Sequence, residues 1–388
     1  MNPACIPFNF PYMAGNELKY IQQAYANGRL AGDGPFTKQC HDWLEKRTGC
    51  RRALLTHSCT AALEMAAILL RLKPGDEVIL PSYTFVSTAN AFVLRGAVLV
   101  FVDIRKDTLN IDETLISAAI TDRTRAIVVV HYAGVGCEMD VILGLARKYN
   151  LEVIEDAAQG IMARYKGRPL GSLGSLGTYS FHETKNLICG EGGALLVNDP
   201  RMISRAEIIR EKGTDRSRFF RGEIDKYTWQ DIGSSFLPGE LTAAFLAGQL
   251  EEADNITHRR ITIWNCYHEL LAPLEKAGWL RRPIIPSHCE HNGHMYHVIL
   301  NSKLSRNKVL ELLRTDGILA VFHYVPLHST AAGLHYGRAS GTLSVTDWAA
   351  EHLIRLPMWI NLTNSQLSRI VTSLTDAVHR VGCRPDSP

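Results

Sequence analysis

The chain has 388 residues, which is room for about two to three domains and a large buried core. Hydrophobic residues make up 46% and charged residues 21%, a globular balance that excludes intrinsic disorder and collagen-like repeats. Lys plus Arg number 42 against 39 Asp plus Glu, for a net charge of +3, which argues against a dedicated nucleic-acid binder with its strong basic excess but not against small anionic ligands.

The first half alternates helix-like and strand-like segments. Thr60 to Leu72 reads as a helix with Leu63, Ala67 and Leu70 on one stripe, ended by Pro74-Gly75-Asp76. Glu77 to Leu80 is a short buried strand, Ser87 to Leu94 a helix, and Ala97 to Val102 a second strand. Asp112 can cap a helix holding Leu115, Ala119 and Ile120. Arg125 to His131 is a strand, Met139 to Tyr149 a helix, and Leu151 to Ile154 a strand. Such βαβ units predict an α/β fold with a mostly parallel sheet covered by helices on both faces. Ligands bind beyond the carboxyl ends of such strands, which points to Pro81 to Val86, Glu155 to Gln159 and His182 to Lys185.

The second half has a different pattern. Glu240 to Leu271 reads as one long helix, followed by a Pro-containing loop through Pro283 and Pro286. Met295 to Leu300 and Leu319 to Tyr324 read as strands, and Lys308 to Thr315 and Ser365 to Val381 as helices. The expected division is a large domain over 1–255 and a smaller α+β domain over 256–388 that includes the connecting helix, with the N-terminal arm packing on the smaller one.

Nine cysteines lie scattered from Cys5 to Cys383 without a C-x-x-C pair, a pattern of reduced thiols rather than a disulfide framework. The N-terminus lacks the basic and apolar regions of a signal peptide, and no apolar run approaches the ~20 residues that span a bilayer. The expectation is a cytoplasmic protein with neither a membrane nor a nucleic acid as partner. A phosphate loop, H-E-x-x-H and G-x-S-x-G are all absent, and Gly134-Val135-Gly136 and Gly190-Glu191-Gly192 do not continue into a dinucleotide fingerprint. His288, Cys289, His291, His294 and His297 crowd together but match no zinc spacing, so they read as a polar loop entering a strand, with no metal expected.

Four pieces at strand ends carry chemistry. Thr56-His57-Ser58-Cys59-Thr60 precedes a helix, where free N–H groups and the dipole attract an anion; Ser58 is equally an ordinary N-cap. Pro81-Ser82-Tyr83-Thr84-Phe85 offers an aromatic face to a planar ring, or a core aromatic. Glu155-Asp156-Ala157-Ala158-Gln159 ends a buried strand, and a carboxylate there is costly unless paired. A pyridinium nitrogen is a suitable partner for Asp156, and Gln159 can bond a ring hydroxyl. Ser180-Phe181-His182-Glu183-Thr184-Lys185-Asn186 lies between Gly-rich stretches, so backbone can approach a ligand closely there. A lysine so placed can bond a carbonyl cofactor. In this order the pieces suit pyridoxal 5'-phosphate (PLP).

The stretches Ser180 to Asn186, Gly190 to Gly193 and Glu155 to Gln159 resemble those of the DegT/DnrJ-type sugar-nucleotide aminotransferases, and the likeness runs from Ile6 to Met358. Pro81 to Gly96, Asn110 to Ile116, Phe219 to Gly222 and Ala320 to Tyr324 are most similar to the branch that forms dTDP-4-amino-4,6-dideoxygalactose. The resemblance implies a fold-type I PLP-dependent transferase. It implies that Lys185 bonds the cofactor and Asp156 meets its ring nitrogen, while Gln159 sits near the ring hydroxyl and Phe85 stacks on the ring. Cys59, Thr60 and Ser180 would hold the phosphate. It further implies transfer of an amino group from L-glutamate to the 4-keto carbon of dTDP-4-keto-6-deoxy-D-glucose, in a homodimer with its site at the subunit interface. Many relatives supply a partner-subunit Asn to the phosphate, where this chain has Ser234 and Ser235. Arg216 and Arg221 are candidates for the nucleotide diphosphate, and His323, Tyr324 and His328 for the sugar pocket. A 3-keto or UDP-linked sugar, or a PLP-dependent dehydratase, would share these motifs; retention of Lys185 favours transamination.

Overall fold

The computed structural model describes residues 5–382. Fourteen strands form three sheets. In chain order they are β1 (Arg52–Thr56), β2 (Glu77–Pro81), β3 (Val98–Val102), β4 (Thr124–Val130), β5 (Glu152–Asp156), β6 (Arg164–Tyr165) and β7 (Arg168–Pro169). After these come β8 (Leu176–Ser180), β9 (Gly193–Val197), β10 (Leu280–Arg281), β11 (Cys289–Glu290), β12 (Tyr296–Leu300), β13 (Gly337–Ala339) and β14 (Leu353–Leu356). The main sheet has the order β1-β9-β8-β5-β4-β2-β3-β13. Only β9 is reversed, being antiparallel to both β1 and β8. The sheet is therefore mostly parallel, as the alternating pattern predicts.

Alternate side chains of these strands enter two separate cores, as a sheet covered on both faces requires. Leu55, Ile79, Val100, Ile127 and Val129 face one layer of helices. Leu54, Val78, Leu80, Phe101 and Val128 face the other. A third core joins the antiparallel sheet β10-β12-β14 to later helices through Tyr267, Tyr296, Leu300, Ile354 and Leu374. The N-terminal arm is tied to this part: Ile6 exchanges backbone hydrogen bonds with Gly317 and Leu319, and the Met358 N–H donates to the Phe8 carbonyl. β13, late in the sequence, joins the edge of the main sheet beside β3. No helix among the described residues is long and apolar enough to cross a membrane.

Two expected elements differ. The expected helix 240–271 is two helices, Glu240–Glu251 and Ala253–Leu270, meeting at Glu252. The first places Ala243, Leu246 and Leu250 in a core under the main sheet, while the second sends Ile263, Trp264 and Tyr267 to the third core. One straight stripe cannot reach both. Residues 319–324 form no strand; they touch β14 through a single bridge between Val321 and Arg355. The chain then turns away at Tyr324, whose φ of 36° lies in the left-handed region. A bulky residue adopts that conformation only where its surroundings impose it.

Candidate functional site

β1, β2, β4, β5 and β8 all end at one edge of the main sheet, and there they frame a cavity of about 830 Å³. That volume lies in the usual range for small-molecule sites. Cys59, Thr60, Phe85, Asp156, Gln159, Ser180, Lys185, His323 and Tyr324 all line it. Local sequence explains each placement. Ser58 is the N-cap of the helix Cys59–Leu69, its Oγ accepting from the Ala61 N–H at 3.1 Å. The amides of Cys59 and Thr60, at the first two helical positions, have no acceptor within the helix. Burial, reinforced by Asp156, pushes the Cys59 thiol up to about 12, so it is neutral.

Asp156 is the last residue of β5 and is buried. Its Oδ2 accepts from the Thr88 hydroxyl at 2.6 Å and its Oδ1 from the Ala158 N–H at 3.1 Å. Among the described residues no cation pairs with it. Thr88 is in turn 2.8 Å from Thr84 Oγ1. Gln159 is held at both ends: Oε1 accepts from the Ala133 N–H at 2.6 Å, and Nε2 donates to the Tyr324 hydroxyl at 2.9 Å. Tyr324 stacks on His323 with centroids 3.6 Å apart. His323 Nδ1 is 2.7 Å from the Tyr132 hydroxyl, and burial keeps the imidazole neutral by lowering its pKa well below the ordinary value. Lys185 follows β8 in the turn after His182. Burial lowers its pKa and Arg355 acts in the same direction, against Cys59 and Asp156, so more of its amine is neutral. Phe85, 58% exposed, stands in the wall of the cavity.

β9 runs close to the start of the helix Cys59–Leu69, which leaves no room for a side chain at Gly193. A Cβ there would lie 2.4 Å from the Cys59 nitrogen. Gly193→Ala is expected to cost about 1–3 kcal/mol through overpacking. The measurement is the urea midpoint; an unchanged midpoint would show that the two elements move apart freely.

Three sequence candidates stand elsewhere. Arg216 pairs with Glu211, and Arg221 with Glu207 and Glu223, on and beside the short helix Arg216–Phe220. His328 lies next to Ser82, with Nδ1 2.8 Å from its hydroxyl, and 3.5 Å from Asp347. None of the three lines the cavity of its own chain. The histidine-rich loop is dispersed: His288 meets Glu138, His291 packs on Trp264, His294 meets Asn186, and His297 lies edge-on to Tyr132. Sequence reasoning missed Thr88, Arg260 and Arg355. The i, i+4 spacing of Thr84 and Thr88 was the available signal for one polar helix face; the arginines had none, because their walls come from distant sequence.

Known proteins share this geometry and sequence. The model of the DegT/DnrJ/EryC1/StrS aminotransferase family matches residues 11–375. An uncharacterized protein of Methanocaldococcus jannaschii is 35% identical over 357 residues, 89% of this chain and 90% of that one. The aminotransferase TlmJ of Streptoalloteichus hindustanus is 28% identical, covers 97% of this chain and 99% of its own, and has a TM-score of 0.88. DesV of S. venezuelae is 29% identical over 98% of this chain and 100% of its own, with a TM-score of 0.86. A Streptococcus pneumoniae chain described as a sugar aminotransferase, in its PMP form, is 25% identical, covers 97% and 100%, and has a TM-score of 0.89. The chain therefore belongs to the DegT/DnrJ/EryC1/StrS aminotransferase family, whose cofactor is pyridoxal 5'-phosphate.

Proposed function

We propose that the protein moves an amino group from L-glutamate to the 4-keto carbon of dTDP-4-keto-6-deoxy-D-glucose, as a homodimer with its site at the subunit interface. The observation that carries this reading is the convergence of Lys185, Asp156, Gln159 and the start of the helix Cys59–Leu69 on one cavity. The residues present fit PLP. Asp156 is a buried carboxylate without a cation, suited to a protonated ring nitrogen. The Cys59 and Thr60 amides and the Ser180 hydroxyl suit a phosphate. Exposed Phe85, Val86, Phe322 and Val325 at the mouth suit coverage by a second copy.

When bound, PLP supplies an electron sink that stabilises negative charge next to the reacting nitrogen. The protein's own part is proton handling and orientation. Lys185, with its lowered proton affinity, takes the proton from the donor's α-carbon and returns it across the same site. Asp156, fixed by Thr88, keeps the ring nitrogen protonated throughout. Tyr324 and Gln159, bonded to each other, would help hold the cofactor ring. Release of the keto acid before the sugar binds predicts ping-pong kinetics.

The test incubates the enzyme with L-glutamate and dTDP-4-keto-6-deoxy-D-glucose and reads the product by NMR. A 4-amino sugar formed with one equivalent of 2-oxoglutarate is expected. An amine at C3 would reassign the sugar, and release of ammonia with no amino sugar formed would identify a dehydratase.

A further inference from the structure

His294 is buried and lines the cavity. All its polar atoms but one are held by protein. Its backbone N–H donates to Asn292 Oδ1 at 3.0 Å, its carbonyl accepts from Arg260 Nη2 at 2.6 Å, and its Nδ1 lies 2.8 Å from Asn186 Oδ1. The two asparagines are fixed in turn. Asn186 Nδ2 donates to the Asn292 carbonyl at 2.9 Å, and Asn292 Nδ2 donates to the carbonyls of Gln159 at 2.8 Å and Ile161 at 2.7 Å. A backbone carbonyl only accepts, so the end of Asn186 that meets Asn292 is the amide nitrogen and the end that meets His294 is the oxygen. Nδ1 of His294 therefore carries the ring proton. Burial, with Lys185, Arg260 and Arg355 adding, keeps the ring neutral by lowering its pKa well below the ordinary value. Nε2 is then a bare lone pair. Among the described residues it has no partner, and it is not enclosed by protein as the unpartnered Nδ1 of His297 is. It opens on the cavity.

The ring is tied to Asn186, the residue after Lys185, so it stands on the side of the cavity where the reacting nitrogen lies. A bare lone pair gains nothing from a carboxylate or an ionised phosphate, which offer no proton; it fits a hydroxyl. The inference rests on the functional reading above, in which a 4-keto-6-deoxy sugar reacts at C4. In that sugar C5 bears only the ring oxygen and a methyl group, so the one hydroxyl beside the reacting carbon is on C3. We propose that Nε2 of His294 accepts the C3 hydroxyl of the keto sugar, so that His294 selects a 3-hydroxy sugar over a 3-deoxy one. Asn186 and Asn292 act through it as positioning residues, because they hold its tautomer and its backbone. The amino donor carries no such hydroxyl, so the contact serves only the half of the reaction that aminates the sugar.

The test compares kcat/KM of the holoenzyme for dTDP-4-keto-6-deoxy-D-glucose and for its 3-deoxy analogue. Wild type is expected to favour the parent sugar by about 10- to 100-fold, the effect of leaving a buried acceptor unpaired. His294→Phe keeps a ring but no acceptor, and it should turn over the two sugars nearly equally. A role in packing alone would lower both sugars together and leave their ratio as in wild type. His294→Gln, which keeps an acceptor, should recover part of the preference. Should His294→Phe fail to fold, His294→Leu makes the same comparison. Equal turnover of the two sugars by wild type, or a wild-type ratio in His294→Phe or His294→Leu, overturns the proposal. If wild type forms no 4-amino sugar from the parent, the functional reading itself fails; if it does and the ratio is unmoved, only this assignment falls.

Discussion

Lys185→Ala is expected to lower turnover of the keto sugar by at least about 10²- to 10⁴-fold, the range for a lost proton-transfer group, and by more if covalent attachment also speeds exchange of the cofactor. The fold should survive. Burial already disfavours the Lys185 ammonium, as its lowered pKa records, so removing the charge relieves a desolvation cost. The urea midpoint should therefore stay within about 1 kcal/mol of wild type. The check pairs steady-state kinetics with that midpoint. Retained turnover would remove Lys185 from the chemistry, and a collapsed midpoint would make it a structural residue.

The second large effect is on acid stability. His294, His297 and His323 are buried and neutral. Burial lowers His297 to about 3, with Arg281 and Arg355 adding, and holds His294 and His323 well below the ordinary value. His291 is lowered to about 4, again chiefly by burial. In the unfolded chain each imidazole takes up its proton near pH 6.5. Below that pH the unfolded state binds more protons than the native state, so native stability is lost as pH falls. The window runs from about pH 6.5 down through the folded values. By pH 4.5 each fully buried histidine is expected to contribute ~2–3 kcal/mol of lost stability, against a total that is ordinarily only about 5–15 kcal/mol. Urea midpoints at pH 7.5 and pH 5 should show a steep fall. His297→Phe, which keeps a ring beside Tyr132, should flatten it. A pH-independent midpoint would mean that these imidazoles are protonated in the fold.

The sequence was informative where chemistry and strand periodicity coincide. Asp156 and Lys185 each follow a short apolar run, and a parallel sheet brings such ends together whatever the details of the intervening helices. The reversed β9 and the late insertion of β13 beside β3 were not legible, because both depend on pairing between distant segments. Arg216 and Arg221 looked like anion ligands in a basic loop, yet Glu207, Glu211 and Glu223 occupy them; their acid partners lie within sixteen residues but off any regular spacing. Residues 319–324 have strand composition. At Tyr324 the chain leaves β14 and carries the phenol to Gln159, so positioning at the site overrides local preference.

The central claim is that this cavity holds PLP on Lys185, and one measurement addresses it directly. The purified protein is treated with borohydride, digested, and its peptides weighed. The expected result is a yellow protein whose colour is lost on reduction, with the mass of the reduced cofactor on the peptide containing Lys185. Attachment to another lysine, or an unmodified Lys185 peptide from a yellow protein, would contradict the account.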